Sequence, residues 1–150
     1  MKKVQSNSLR VTKILKPEKR VSFKLPMFLE AVSAGFPSPA DDYMEDRLDL
    51  NDHLVRNPAA TFFVRVTGDS MIEAGIHSAD ILVVDRSLNP KDGNIVIAVI
   101  DGELTVKRLR TQKTKVYLHP ENKNYKPIEI TSEMSFEVWG VVTNVIHSLV

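Results

Sequence analysis

A chain of 150 residues suffices for one well-buried domain and a short appendage, and 43% hydrophobic with 26% charged residues excludes a low-complexity or wholly disordered protein. No run approaches the ~18 apolar residues of a membrane span, and the basic N-terminus lacks the apolar stretch of a secretory signal, so the cytoplasm is the expected compartment. The absence of cysteine excludes disulfides, thiol catalysis and cysteine-based zinc sites, while the net charge of +1 divides into +6 over residues 1–34 and −5 over residues 35–150.

The chain therefore reads as a basic arm (1–34) on an acidic body (35–150). The arm carries Lys2, Lys3, Arg10, Lys13, Lys16, Lys19, Arg20 and Lys24. It is expected to be a solvated, partly flexible tail, with nucleic-acid contact as the second reading. Pro17 and Pro26 interrupt it, and no periodic apolar pattern suits the helices of a helix-turn-helix, so sequence-specific DNA binding is not expected. The arm meets the body at Val32-Ser33-Ala34-Gly35-Phe36-Pro37, where small residues flank the Ala34–Gly35 bond. A peptide without bulky side chains can lie close to a nucleophile, although a plain linker would read the same way.

Residues 36–58 suggest a turn followed by a short helix, started at Pro39-Ala40-Asp41-Asp42 and stopped by Asn57-Pro58, with Tyr43, Leu48, Leu50 and Leu54 supplying an apolar face. The pattern then changes to strands: 61–66, 81–84, 94–100, 103–109, 116–119, 128–130 and 136–146. Asp101-Gly102 between two of these runs signals a two-residue hairpin, because a type I′ turn needs positive φ at both central positions. The fold class is mainly β: a body of compact, curved antiparallel sheets with short helical turns, preceded by an extended N-terminal arm.

Two residues in this body suggest chemistry. Gly68-Asp69-Ser70-Met71 falls where a strand gives way to a turn, a corner that can hold a serine hydroxyl clear of the sheet. The same corner can aim the backbone N–H groups of Asp69 and Ser70 at a developing oxyanion. Either residue could instead simply cap the turn. A serine nucleophile needs a base, and none of His53, His77, His119 and His147 is distinguished by its surroundings in the sequence.

Lys107 is distinguished by the hairpin register. With Asp101-Gly102 as the loop, Ile100 faces Glu103, Ala98 faces Thr105 and Val96 faces Lys107, so Lys107 shares a face with Val96, Ala98, Thr105 and Leu109. Burial on that apolar face would lower the amine from ~10.4, and a fall of ~3 units would leave much of it neutral near pH 7, fit to act as a base. On an outer face the same lysine would reach into water and stay charged.

Gly68-Asp69-Ser70-Met71, Lys107 within Thr105-Val106-Lys107-Arg108, and an upstream Ala-Gly bond together resemble the LexA-like self-cleaving peptidases. Gly35-Phe36-Pro37-Ser38-Pro39-Ala40 and Ala98-Val99-Ile100-Asp101-Gly102-Glu103 resemble the UmuD-like branch of that family, whose best-known member has Cys-Gly at the bond. The resemblance implies Ser70 as nucleophile, Lys107 as base and Ala34–Gly35 as the scissile bond, with no metal or cofactor. It implies self-cleavage promoted by RecA filaments on single-stranded DNA in the SOS response. It further implies a trimmed homodimer that joins a UmuC-type DNA polymerase in translesion synthesis. The competing readings are a LexA-like or phage-type repressor fragment and a non-catalytic polymerase adaptor. Signal peptidase, which surrounds its serine with a similar motif, would need a membrane anchor.

Overall fold

In the computed structural model, which describes residues 8–17, 24–28 and 45–150, Asp101 and Gly102 have φ of 47° and 82°, the pair of positive values that a type I′ turn demands. They join β6 (Ile95–Ile100) to β7 (Glu103–Gln112) in the expected register, with Val96 opposite Lys107, Ala98 opposite Thr105 and Ile100 opposite Glu103. The other expected strands form as β4 (Thr61–Thr67), β5 (Ile81–Asp85), β8 (Lys115–His119), β9 (Ile128–Glu129) and β10 (Phe136–Ile146).

The arm departs from expectation. Arg10–Leu15 is a strand, β1, paired antiparallel with β4 in the register Val11 to Val66 and Ile14 to Val64, and it also touches β7 through Arg10 and Thr105. The sheet order is β1-β4-β5-β10-β6-β7-β8-β9, and the extra β1–β7 pairing closes six of these strands into a ring. Net charge hid this. Val11, Thr12 and Ile14 are β-branched, and Leu9, just ahead of the strand, is fully buried, which is worth roughly 1.5–3 kcal/mol of transfer free energy. Residues 8–15 are thus a stave of the body and not a free tail.

Two clusters fill the interior. One gathers Leu9, Val64, Val66, Met71, Ile76, Leu82, Val84, Ile97 and Val106; the other gathers Val96, Ala98, Leu109, Leu118 and Val141. Successive residues of β6 point into different clusters, so both faces of the strand are covered. This is why Ile95 to Ile100 reads as unbroken apolar sequence and not as an alternation.

Residues 8–17 with 57–150 form one compact unit, and the described parts of 18–56 belong to a second. In the second, β2 (Lys24–Phe28) pairs with β3 (Glu45–Asp49), which runs directly into α1 (Leu50–Leu54). The helix expected over this region is therefore one short turn. Its start is set by Asp49, whose carboxylate accepts the Asn51 N–H at 2.8 Å, while Leu48, assigned above to the helical face, lies in the strand. The proposed helix start at 39–42 and the Ala34–Gly35 bond lie outside the described residues. Among the described residues no helix is long and apolar enough to cross a membrane.

Candidate active site

β4 ends at Thr67, and the chain turns at Gly68, whose φ of 109° only glycine adopts without strain. Asp69 and Ser70 follow, ahead of a single 3-10 turn, Ile72–Ala74, closed by Gly75. Fully buried Met71 pins this turn to the core. A neighbouring loop clamps it from the other side: Glu121 N–H donates to the Ser70 carbonyl at 2.8 Å, Glu73 N–H to the Glu121 carbonyl at 2.8 Å, and the Asn122 amide to the Asp69 carbonyl at 2.9 Å. Arg108 holds that loop through an ion pair with Glu121. The Tyr125 hydroxyl donates to the Asp69 carboxylate, and burial, followed by that bond and the carboxylate's charge, pushes the phenol up to about 12.

Lys107 reaches this turn from β7. Its Nζ lies 3.2 Å from Ser70 Oγ, 2.7 Å from Ser8 Oγ, 2.8 Å from Thr105 Oγ1 and 3.1 Å from the Val106 carbonyl. Ser70 has no exposed surface and Lys107 is 3% exposed. Of the two environments the register allowed, the buried one is realised, and desolvation lowers the amine to about 8.

The set of partners suits either protonation state. An ammonium has three N–H donors for four acceptors; a neutral amine can donate to the Val106 carbonyl and to one hydroxyl while its lone pair accepts from Ser70. Among the described residues, the N–H groups of Asp69 and Ser70 donate to no acceptor, so both remain available to an oxygen placed near Ser70.

The site is covered by the chain's own N-terminal segment. Leu9 N–H donates to Ser70 Oγ at 2.8 Å, and the Ser8 hydroxyl is the closest partner of Lys107. Ser8, Leu9, Glu121, Asn122 and Tyr125 were invisible to sequence reasoning, because they reach the Ser70 turn only through tertiary folding. The one available signal was the isolated Leu9 among polar residues.

A buried serine and a buried lysine thus lie within hydrogen-bonding distance at the end of a β-strand, where a neutral amine can accept the proton of the hydroxyl. The Peptidase S24-like family model matches residues 26–143. The chain belongs to the Peptidase S24-like family. As an S24 member it is a serine peptidase by class. It is similar to SamA of Salmonella typhimurium strain LT2, with 50% identity over 135 residues that cover 89% of this chain and 94% of that protein. It is also similar to MucA of Escherichia coli, with 47% identity over 127 residues covering 84% of each. A more distant relative is the LexA repressor of Shewanella piezotolerans, 35% identical over 144 residues covering 95% of this chain and 68% of the repressor.

Proposed function

We propose that this S24 peptidase cleaves its own Ala34–Gly35 bond with Ser70 as nucleophile and Lys107 as base. The observation that carries this reading is the 3.2 Å approach of the Lys107 amine to the Ser70 hydroxyl in a site where burial holds the amine at about 8. Neutral Lys107 takes the Ser70 proton as Oγ attacks the Ala34 carbonyl, and the N–H groups of Asp69 and Ser70 receive the developing oxyanion. Collapse breaks the Ala34–Gly35 bond, and the proton on Lys107 passes to the Gly35 nitrogen, the new N-terminus. Water, deprotonated by Lys107, then hydrolyses the Ala34–Ser70 ester and restores the serine.

Because Ser8 and Leu9 occupy the dyad, the scissile peptide gains access only when the beginning of β1 withdraws. Cutting removes a segment of charge +6 and leaves a body of −5. That change suits a protein whose trimmed homodimer engages different partners from its precursor. Likeness to SamA and MucA supports a place in SOS mutagenesis, with a RecA filament on single-stranded DNA as activator and a UmuC-type polymerase as partner. Incubation of the purified chain with RecA, single-stranded DNA and a nucleotide, followed by N-terminal sequencing, tests the reading. A product beginning at Gly35, absent in Ser70→Ala and Lys107→Ala, is expected; cleavage elsewhere, or cleavage that survives Ser70→Ala, refutes it.

A further inference from the structure

Antiparallel pairing of β5 with β10 sets Ile81 opposite Ile146, so the residue before β5 and the residue after β10, Asp80 and His147, are neighbours. His147 Nδ1 lies 2.5 Å from Asp80 Oδ1. On the other side of the same carboxylate is His77, three residues upstream, with Nδ1 3.8 Å from Asp80 Oδ2 and a ring whose centroid is 4.6 Å from that of His147. Asp80 is 2% exposed, and Oδ2 also accepts the His77 backbone N–H at 2.7 Å, which fixes the carboxylate's orientation.

The Asp80–His147 contact alone could be an ordinary ion pair, but it leaves His77 unexplained. The His77 Nδ1 atom is shielded from solvent and has no hydrogen-bond partner among the described residues, a state that costs free energy for a polar nitrogen. One donor atom from each of His77, Asp80 and His147 lies within 4.8 Å of the others. Ligand atoms at ~2.0–2.2 Å from a tetrahedral ion stand about 3.3–3.6 Å apart, so rotation of the two imidazoles completes the set by moving His147 Nδ1 out from 2.5 Å and His77 Nδ1 in from 3.8 Å of the carboxylate.

We propose that His77, Asp80 and His147 form a binding site for a divalent first-row transition metal of the zinc type. Two imidazoles and one carboxylate are the donors of zinc, nickel and copper, whereas magnesium and calcium take oxygen ligands. Three protein ligands leave a fourth position for water. The ion joins the turn ahead of β5 to the end of β10. Its influence extends toward the nucleophile, because Ser78, inside this turn, bonds Thr67 Oγ1 at 3.0 Å and the Gly68 N–H at 3.3 Å, the residues from which the Ser70 turn springs.

The test titrates zinc chloride into the full chain, purified without a histidine tag, by calorimetry, with magnesium chloride as the contrasting ion. One zinc per chain is expected, with no magnesium heat. His77→Ala and His147→Ala should each weaken zinc at least about tenfold, while His53→Ala, in the other unit, leaves it unchanged. Both imidazoles are partly exposed, and circular dichroism verifies that the variants fold. Thermal midpoints should rise by roughly 5–10 °C at zinc a hundredfold above Kd, in the native chain only. As a second readout, cobalt(II) should give visible bands of a tetrahedral nitrogen and oxygen site that vanish in His147→Ala. Absence of zinc binding, equal binding to magnesium, or zinc binding that survives both histidine substitutions overturns the proposal.

Discussion

If Lys107 is the base, the rate of self-cleavage without an activator follows the fraction of neutral amine. With the amine at about 8, that fraction is about 0.09 at pH 7, about 0.5 at pH 8 and about 0.9 at pH 9. The rate should therefore climb about tenfold from pH 7 to pH 9 and then level off, reporting one ionisation. The assay is first-order loss of intact chain on gels over pH 6–10, with folding checked by circular dichroism at each pH and dilution used to separate cutting within a chain from cutting between chains. Lys107→Arg should abolish cleavage throughout, because a guanidinium stays protonated at every pH in the range. A profile that is flat from pH 7 to 9, or that turns near 6.5 as a histidine would, refutes Lys107 as the base.

Three further outcomes follow from the same site. Leu9→Ala should release the cover over the dyad: taking about 2 kcal/mol for the lost methyl groups raises the undocked population, and the activator-independent rate, roughly thirtyfold, while an unchanged rate in a folded variant argues against occlusion. Thr105→Val deletes a hydrogen bond that favours the ammonium, so the inflection of the pH profile should move down by about one unit, read from the same gels. Stability should also report Lys107. The folded amine loses its proton near 8 while the unfolded one keeps it to 10.5, so the unfolded state binds more protons between these values and stability rises with pH. Urea unfolding of Ser70→Ala should show a gain of roughly 2 to 3 kcal/mol from pH 7 to 10 beyond that of Ser70→Ala/Lys107→Met, and equal gains would contradict a buried, depressed lysine.

The hairpin that places Lys107 was legible in the sequence because its turn is chemically determined: Asp-Gly fixes the register, and the register fixes the face. Ser70 was legible as a strand-end serine, since glycine and a following single turn mark the corner. Residues 8–15 are not legible as a strand in the sequence, because Arg10, Lys13 and Lys16 separate the apolar Leu9, Val11 and Ile14 and give the segment the charge of a tail. The strand at 45–49 was missed for a similar reason. Its acidic, short sequence has low strand propensity and is held by pairing with β2, a tertiary effect that local preference does not register. His77 and His147 could not be joined from the sequence, because only the β5–β10 register brings them together.

The position of β1 in the ring has a consequence for the trimmed product. While the strand is in place, β4 has a partner on each side, β1 and β5, and the first sheet of the body has no bare margin there. Excision at Ala34–Gly35 would take β1 away with the rest of the arm and strip the outer side of β4 of its ladder. A row of unmet N–H and C=O groups along Phe63 to Thr67 would appear, beside the apolar socket that Leu9 vacates. Such a margin accepts an extended strand from another chain by backbone hydrogen bonds, with the socket selecting an apolar side chain. Proteolysis in this molecule would then create a docking address that does not exist before the cut.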